Sequence, residues 1–132
     1  MVIDTSAILA ILLDEPERRR FSEALEGSDI HSLSAGSFVE TSMIIESLYG
    51  SDGVRDLDLI IAKAAIVVEP VDTEQAHIAR QAFRQFGKGR HPAELNFGDC
   101  FSYALARFTA EPLLFKGKDF SRTDIECHQA SG

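Results

Sequence analysis

"MVIDTSAILAILL", residues 1–13, decides the fold. Val2 and Ile3 read as a short buried strand, and Ile8, Leu9, Ile11, Leu12 and Leu13 as the buried side of a helix. Asp4 stands at the hinge between them, where an unpartnered carboxylate is costly. A strand that passes through an acid and two hydroxyl residues (Thr5, Ser6) into an apolar helix opens a β/α unit. The rest of the chain repeats that alternation.

Working outward, helices are expected over about Ser6–Leu13 and Glu15–Glu26, with Pro16 in the first turn of the second and Gly27 at its end. "DIHSLS" (29–34) reads as a second strand. Ser34 caps a long helix to about Tyr49, stopped by "YGSDG", and another helix covers Val54–Ala64. "AIVVEPV" (65–71) reads as a buried strand closed by Pro70. Asp72 caps a helix that has Glu74 in its first turn and ends near Gly87. "GKGRHPAEL" (87–95) reads as a basic, flexible loop, "FGDCFSYALARF" (97–108) as a helix and "PLLF" (112–115) as a strand. "KGKDFSRTD" (116–124) is a loop and "IEC" (125–127) a last short strand. Short strands between helices predict α/β architecture, with a mostly parallel central sheet covered by helices on both faces. The length, 132 residues, suits a single domain over 1–132, and the final "HQASG" is expected to fray.

Composition narrows the function classes. At 45% apolar the chain can build a core without metal or disulfide staples, and no run is long enough to span a bilayer. The apolar start lacks the basic lead of a signal peptide, so a cytoplasmic protein is expected. Cys100 and Cys127 form no metal motif and read as small buried thiols. A net charge of −8 argues against a protein that coats nucleic acid by bulk attraction.

The acids are placed for chemistry. In an open parallel sheet, ligands bind beyond the carboxyl ends of the strands. Asp4 ends the first strand, the loop with Lys116, Lys118 and Asp119 follows the last long one, and Asp99 opens a helix on that rim. Each has a plain structural reading as well: Asp4 and Asp99 as helix caps, Asp119 as a turn residue, Asp124 as the residue before a strand. Glu40 is harder to explain as structure alone. Its helical strip holds Gly36, Ser37 and Ile44, so its carboxylate is expected to point at packed or concave space. Carboxylates gathered at one place repel, and a divalent cation relieves that. Oxygen ligands without His or Cys suit Mg²⁺ or Mn²⁺, which activates water and stabilises charge on a phosphodiester.

Four segments, "MVIDTSAILAIL", "FVETSMII", "NFGDCFSYALA" and "PLLFKGKDFSRTDI", resemble in order and spacing the PIN-domain ribonucleases, and more closely the VapC toxins of VapBC toxin–antitoxin pairs. The resemblance covers nearly the whole chain. It implies a PIN-domain fold and a Mg²⁺-dependent endoribonuclease, with Mn²⁺ as a substitute, acting on structured RNA such as transfer RNA. It also implies a homodimer and a cognate VapB-type antitoxin. Carried over by residue, the acidic set is Asp4, Glu40, Asp99 and Asp119. Asp4 and Asp99 would be direct metal ligands, with Glu40 supporting the metal or its water. Asp124 is the alternative fourth acid. Thr5 and Ser6 match hydroxyl residues that bond the first carboxylate. Lys116, Lys118 and Arg122, then Lys88 and Arg90 with Arg84 and His91, are candidates for the RNA backbone. His31, His77 and His128 are expected to be structural or exposed. Two rivals remain. A phospho-accepting receiver domain would use Asp72 and Lys116, and acetyl-phosphate labelling would reveal it. A non-catalytic RNA-binding module of the same fold would lack the intact acids.

Overall fold

The computed structural model describes residues 1–27 and 30–132. Its elements run β1 (Val2–Ile3), α1 (Thr5–Leu12), α2 (Arg18–Gly27), β2 (His31–Ser34), α3 (Ala35–Lys63), β3 (Ile66–Glu69), α4 (Thr73–Phe86), α5 (Phe97–Thr109), β4 (Leu113–Leu114) and a 3₁₀ turn at Phe120–Arg122. The strands form one sheet in the order β3-β2-β1-β4, and every pairing is parallel.

Alternation along the strands builds the two sides. Ile3, Leu33 and Leu114 pack with Ile8, Ile11, Phe21 and Leu57 from α1, α2 and α3. Val2 and Leu113 point the other way, into Tyr103, Leu105 and Ala106 of α5 and Ala82 of α4. Val2 and Ile3 are both fully buried, worth roughly 1.5–3 kcal/mol each in apolar burial. Two residues therefore anchor both halves of the core and leave Asp4 at the carboxyl end of a central strand.

Several local expectations change. The two helices expected on either side of "YGSDG" are both present within α3, Ala35–Lys63, and are separated by a kink at Gly50 (φ 64°, ψ −149°) where the loop expected between them is shorter. That left-handed backbone is open to glycine at little cost, so the chain turns there. α2 begins only at Arg18, because Asp14 takes φ 52° and Pro16 lies in the turn before it. β3 is an edge strand, and of its apolar residues Ile66 reaches the core while Val67 and Val68 are exposed. Asp29, the first residue of the expected second strand, lies outside the described residues.

The basic loop 87–95 is ordered by its own bonds. The Lys88 amide donates to Leu95 O and the Leu95 amide to Phe86 O, both at 2.9 Å, and Ala93 and Leu95 are buried. "IEC" contributes one bridge, Leu113 with Cys127, rather than a strand. The tail is tied down instead of frayed. Arg20 donates to the carbonyls of Ala130 and Gly132, and the Gly132 amide donates to Phe115 O at 3.0 Å.

Candidate active site

Asp4 is 4% exposed, and its carboxylate is held from both sides. The Ser6 amide (3.0 Å) and hydroxyl (2.6 Å) donate to Oδ2, and the Ser102 hydroxyl donates to Oδ1 at 2.5 Å. The residue caps α1, so the cap and site readings describe the same bonds. The Asp4 amide donates to Leu114 O, and the Lys116 amide donates to the Ser6 hydroxyl at 3.0 Å. β1, α1 and the segment after β4 thus meet at one carboxylate.

The expected hydroxyl pair divides. Ser6 holds Asp4, but Thr5 turns into α3, where its hydroxyl donates to Ser37 O and accepts from Thr41. Ser102 takes the place expected of Thr5. Since its single proton goes to Asp4, Ser37 is the donor in the 3.1 Å contact between the two serines. Ser102 lies three residues beyond Asp99 in α5 and so shares its face, a spacing visible in "DCFS" once Asp99 is taken as a site residue.

Asp99 forms a capping box with Asn96: its amide donates to Asn96 Oδ1 at 2.9 Å, and the Asn96 amide donates to Asp99 Oδ2 at 3.0 Å. Burial pushes the Asp99 carboxyl up to about 7, and the charges of Asp4, Asp119 and Glu40 push the same way against the Asn96 amide. Four acids far apart in sequence therefore share one field. Glu40 reaches the place from α3, its carboxylate lying against Gly98. Asp119 precedes the 3₁₀ turn and makes no capping bond with its side chain. Asp124 does not join them. It accepts from the Tyr103 hydroxyl (2.6 Å) and pairs with Arg107 (3.0 Å).

These oxygens suit a hard divalent cation, and the crowding felt by Asp99 is the charge imbalance such a cation offsets. Among the described residues no three acidic, His or Cys side chains converge as a ready-made cage. Mg²⁺ does not need one, because it keeps several waters and takes one or two carboxylates.

A PIN-domain model matches residues 1–126. The chain is 52% identical over 125 residues to ribonuclease VapC30 of Mycobacterium tuberculosis, covering 95% of each protein. The chain belongs to the PIN-domain family, among the VapC ribonucleases. The fold agrees with solved toxin structures. VapC20 of M. tuberculosis, a sarcin–ricin loop cleaving toxin, superposes with a TM-score of 0.77 at 17% identity, over 94% of this chain and 95% of that one. A toxin–antitoxin complex from Klebsiella pneumoniae gives 0.67 at 16% identity, over 99% and 94%.

On this VapC frame the cations are less available than the sequence suggests. The Lys116 ammonium lies 2.9 Å from Glu15 and 3.3 Å from Glu17, and the hydrogen bond to Glu15 raises its pKa. It pins the turn between α1 and α2. Arg122 donates to Pro92 O, and Arg90 lies over the Phe83 ring at 5.4 Å. Lys88 and Lys118 are exposed. His31 bonds Ala64 O, His77 meets Arg80, and His128 accepts from the Ala130 amide, as expected of structural residues. His91 accepts from the Ala93 amide inside its own loop. Cys100 is buried, but Cys127 is exposed, against the expectation of two buried thiols. Asp72 caps α4, accepting from the Gln75 amide at 2.8 Å, and membership of the PIN-domain family sets the receiver reading aside. No helix among the described residues is long and apolar enough to cross a membrane.

Proposed function

We propose that the chain is the toxin of a VapBC-type pair, a cytoplasmic Mg²⁺-dependent endoribonuclease that cuts structured RNA such as transfer RNA. The observation that carries this is the shared field at Asp99, to which Asp4, Glu40 and Asp119 all contribute. Asp4 and Asp99 would ligate the ion, and Glu40 and Asp119 would support it or orient its water. When bound, Mg²⁺ supplies an activated water and stabilises charge on the phosphodiester. The chain's part is to hold the ligands still. Ser6 and Ser102 fix both oxygens of Asp4, and Asn96 fixes Asp99 at the first turn of α5. That helix start also favours a phosphate oxygen. Lys118 and Lys88 are the cations best placed by exposure to meet RNA, and Arg122 and Arg90 retain charge toward solvent.

The purified protein is expected to cleave transfer RNA with Mg²⁺ or Mn²⁺ and to stop with a chelator. Asp119→Asn should lower the rate about 100-fold, whereas Asp124→Asn, which only frees Tyr103 and Arg107, should stay within about 3-fold of wild type. Gel readout of 5′-labelled RNA checks both. The opposite ranking would make Asp124 the fourth acid.

A homodimer belongs to the same reading. The apolar residues Met43, Ile44, Leu48, Leu57, Ile60 and Ile61 are those the sequence offers for a dimer interface; Leu57 is fully buried, and Ile60 and Ile61 pack on the core. Met43 and Leu48 remain exposed on α3, joined by Val39, and Phe97 is 81% exposed on α5. These apolar residues support burial between two copies. Light scattering should give twice the 14.5 kDa chain mass; a monomer at micromolar concentration contradicts it. A VapB-type antitoxin would lay an amphipathic segment on the rim and direct an Arg fork at Asp4 and Asp99.

A further inference from the structure

Gly98 sits between the capping residue of α5 and Asp99, and it is buried. Its backbone is ordinary helix, so no unusual φ demands glycine there. What fills the missing side chain is the end of Glu40. A methyl added at Gly98 would fall 2.5 Å from both Cδ and Oε1 of Glu40, and closer still to Oε2.

The kind of atom matters. At Gly87 an added methyl would meet the backbone carbonyl of Phe83, and at Gly36 the packed ring of Phe101. Neither can step aside without moving a turn or a helix. At Gly98 the obstacle is the far end of a flexible side chain. Glu40 can rotate away with little loss of packing, and a helical Ala is more stable than Gly by about 0.5–1 kcal/mol. The fold is indifferent to glycine here, but the position of the Glu40 carboxylate is not.

We propose that Gly98 is a positioning residue for the nuclease reaction: its bare Cα is the seat that lets Glu40 lay its carboxylate against the first turn of α5 beside Asp99. The seat also places that charge at the positive end of the helix dipole. The inference rests on the acidic-site reading above, because it matters only if Glu40 serves the metal.

The test measures three things on purified variants: Mn²⁺ affinity by calorimetry, kcat and KM on transfer RNA, and melting temperature without metal. Gly98→Ala is expected to melt at or above the wild-type temperature. It should bind Mn²⁺ about 10-fold more weakly and lose about 10- to 100-fold in kcat with KM little changed. Glu40→Asp alone, one methylene too short to reach the seat, should also lose activity. Gly98→Ala with Glu40→Asp should lose little more than Glu40→Asp alone, because the shorter acid does not meet the methyl. Wild-type Mn²⁺ affinity and rate in Gly98→Ala would overturn the proposal. So would a fall in melting temperature in step with activity, or strictly additive losses in the double variant. Full Mn²⁺ binding and full cleavage in Glu40→Ala would instead defeat the acidic-site reading. An inactive Glu40→Ala beside an active Gly98→Ala defeats this inference alone.

Discussion

Asp99→Asn is expected to abolish RNA cleavage and to make the metal-free protein more stable at pH 8. The two effects share a cause. Burial and three neighbouring acids push the Asp99 carboxyl up to about 7 from an ordinary value of 3.8. Between those values the folded chain holds a proton that the unfolded chain has released, so stability falls as pH rises through that window. Above pH 7 the charge is forced on the folded state and the whole cost is present. Asn removes the charge and can still accept from the Asn96 amide. After discounting for the part of Asp99 that water screens, the gain is about 1–2 kcal/mol at pH 8. That is a rise of roughly 4–8 °C in Tm, with none expected near pH 4. Thermal melts across pH in a chelator check it. A melting temperature that drops equally at both ends would mean that Asp99 acts as a cap and not as a strained ligand.

Asp4→Asn is expected to abolish cleavage as well, but with the opposite effect on stability. Its carboxylate accepts from the Ser6 amide, the Ser6 hydroxyl and the buried Ser102 hydroxyl. An amide offers one acceptor oxygen and turns its NH₂ toward a donor that must then rotate. Hydrogen bonds to a buried charge contribute about 1.5–3 kcal/mol, so a loss of roughly 2 kcal/mol is expected at neutral pH, with cleavage down at least about 100-fold. Chemical denaturation of the two variants side by side is the direct comparison. If both shift the same way, one of the two electrostatic accounts is wrong.

This opposition also marks what could be read from the sequence. Asp4 was legible because an acid between a strand and an apolar helix contradicts its surroundings. Glu40 was legible because Gly36 and Ser37 on its strip leave no solvated face, and both do pack against α5, at Phe101 and Ser102. Element types followed from periodicity, since long apolar patterns override local detail. Less was legible where the outcome depended on partners distant in sequence. Thr5 and Ser102 are equal as hydroxyls, and only the docking of α5 decides which reaches Asp4. Lys116 looked free because Glu15 and Glu17 lie a hundred residues earlier. Asp124 stands near enough to Asp119 in sequence to be its alternative, and only the fold pairs Asp124 with Tyr103 and Arg107. In loop 87–95 the Gly, Lys and Arg suggest solvent, whereas Ala93 and Leu95 carry it into the core.

The pairing of β4 with β1 joins Val2 to Leu113 and Ile3 to Leu114, segments that leave the ribosome far apart in time. At about 5–20 residues per second, Asp4 precedes Asp119 by on the order of 10 s. Throughout that interval β1 lacks one of its two neighbours, and the Ser6 hydroxyl lacks the Lys116 amide. A nascent chain therefore carries the pieces of a nuclease without the assembled acids. On the reading proposed above, nuclease activity begins only once the chain after β4 has emerged, when a folded surface is also first available for a partner to grip.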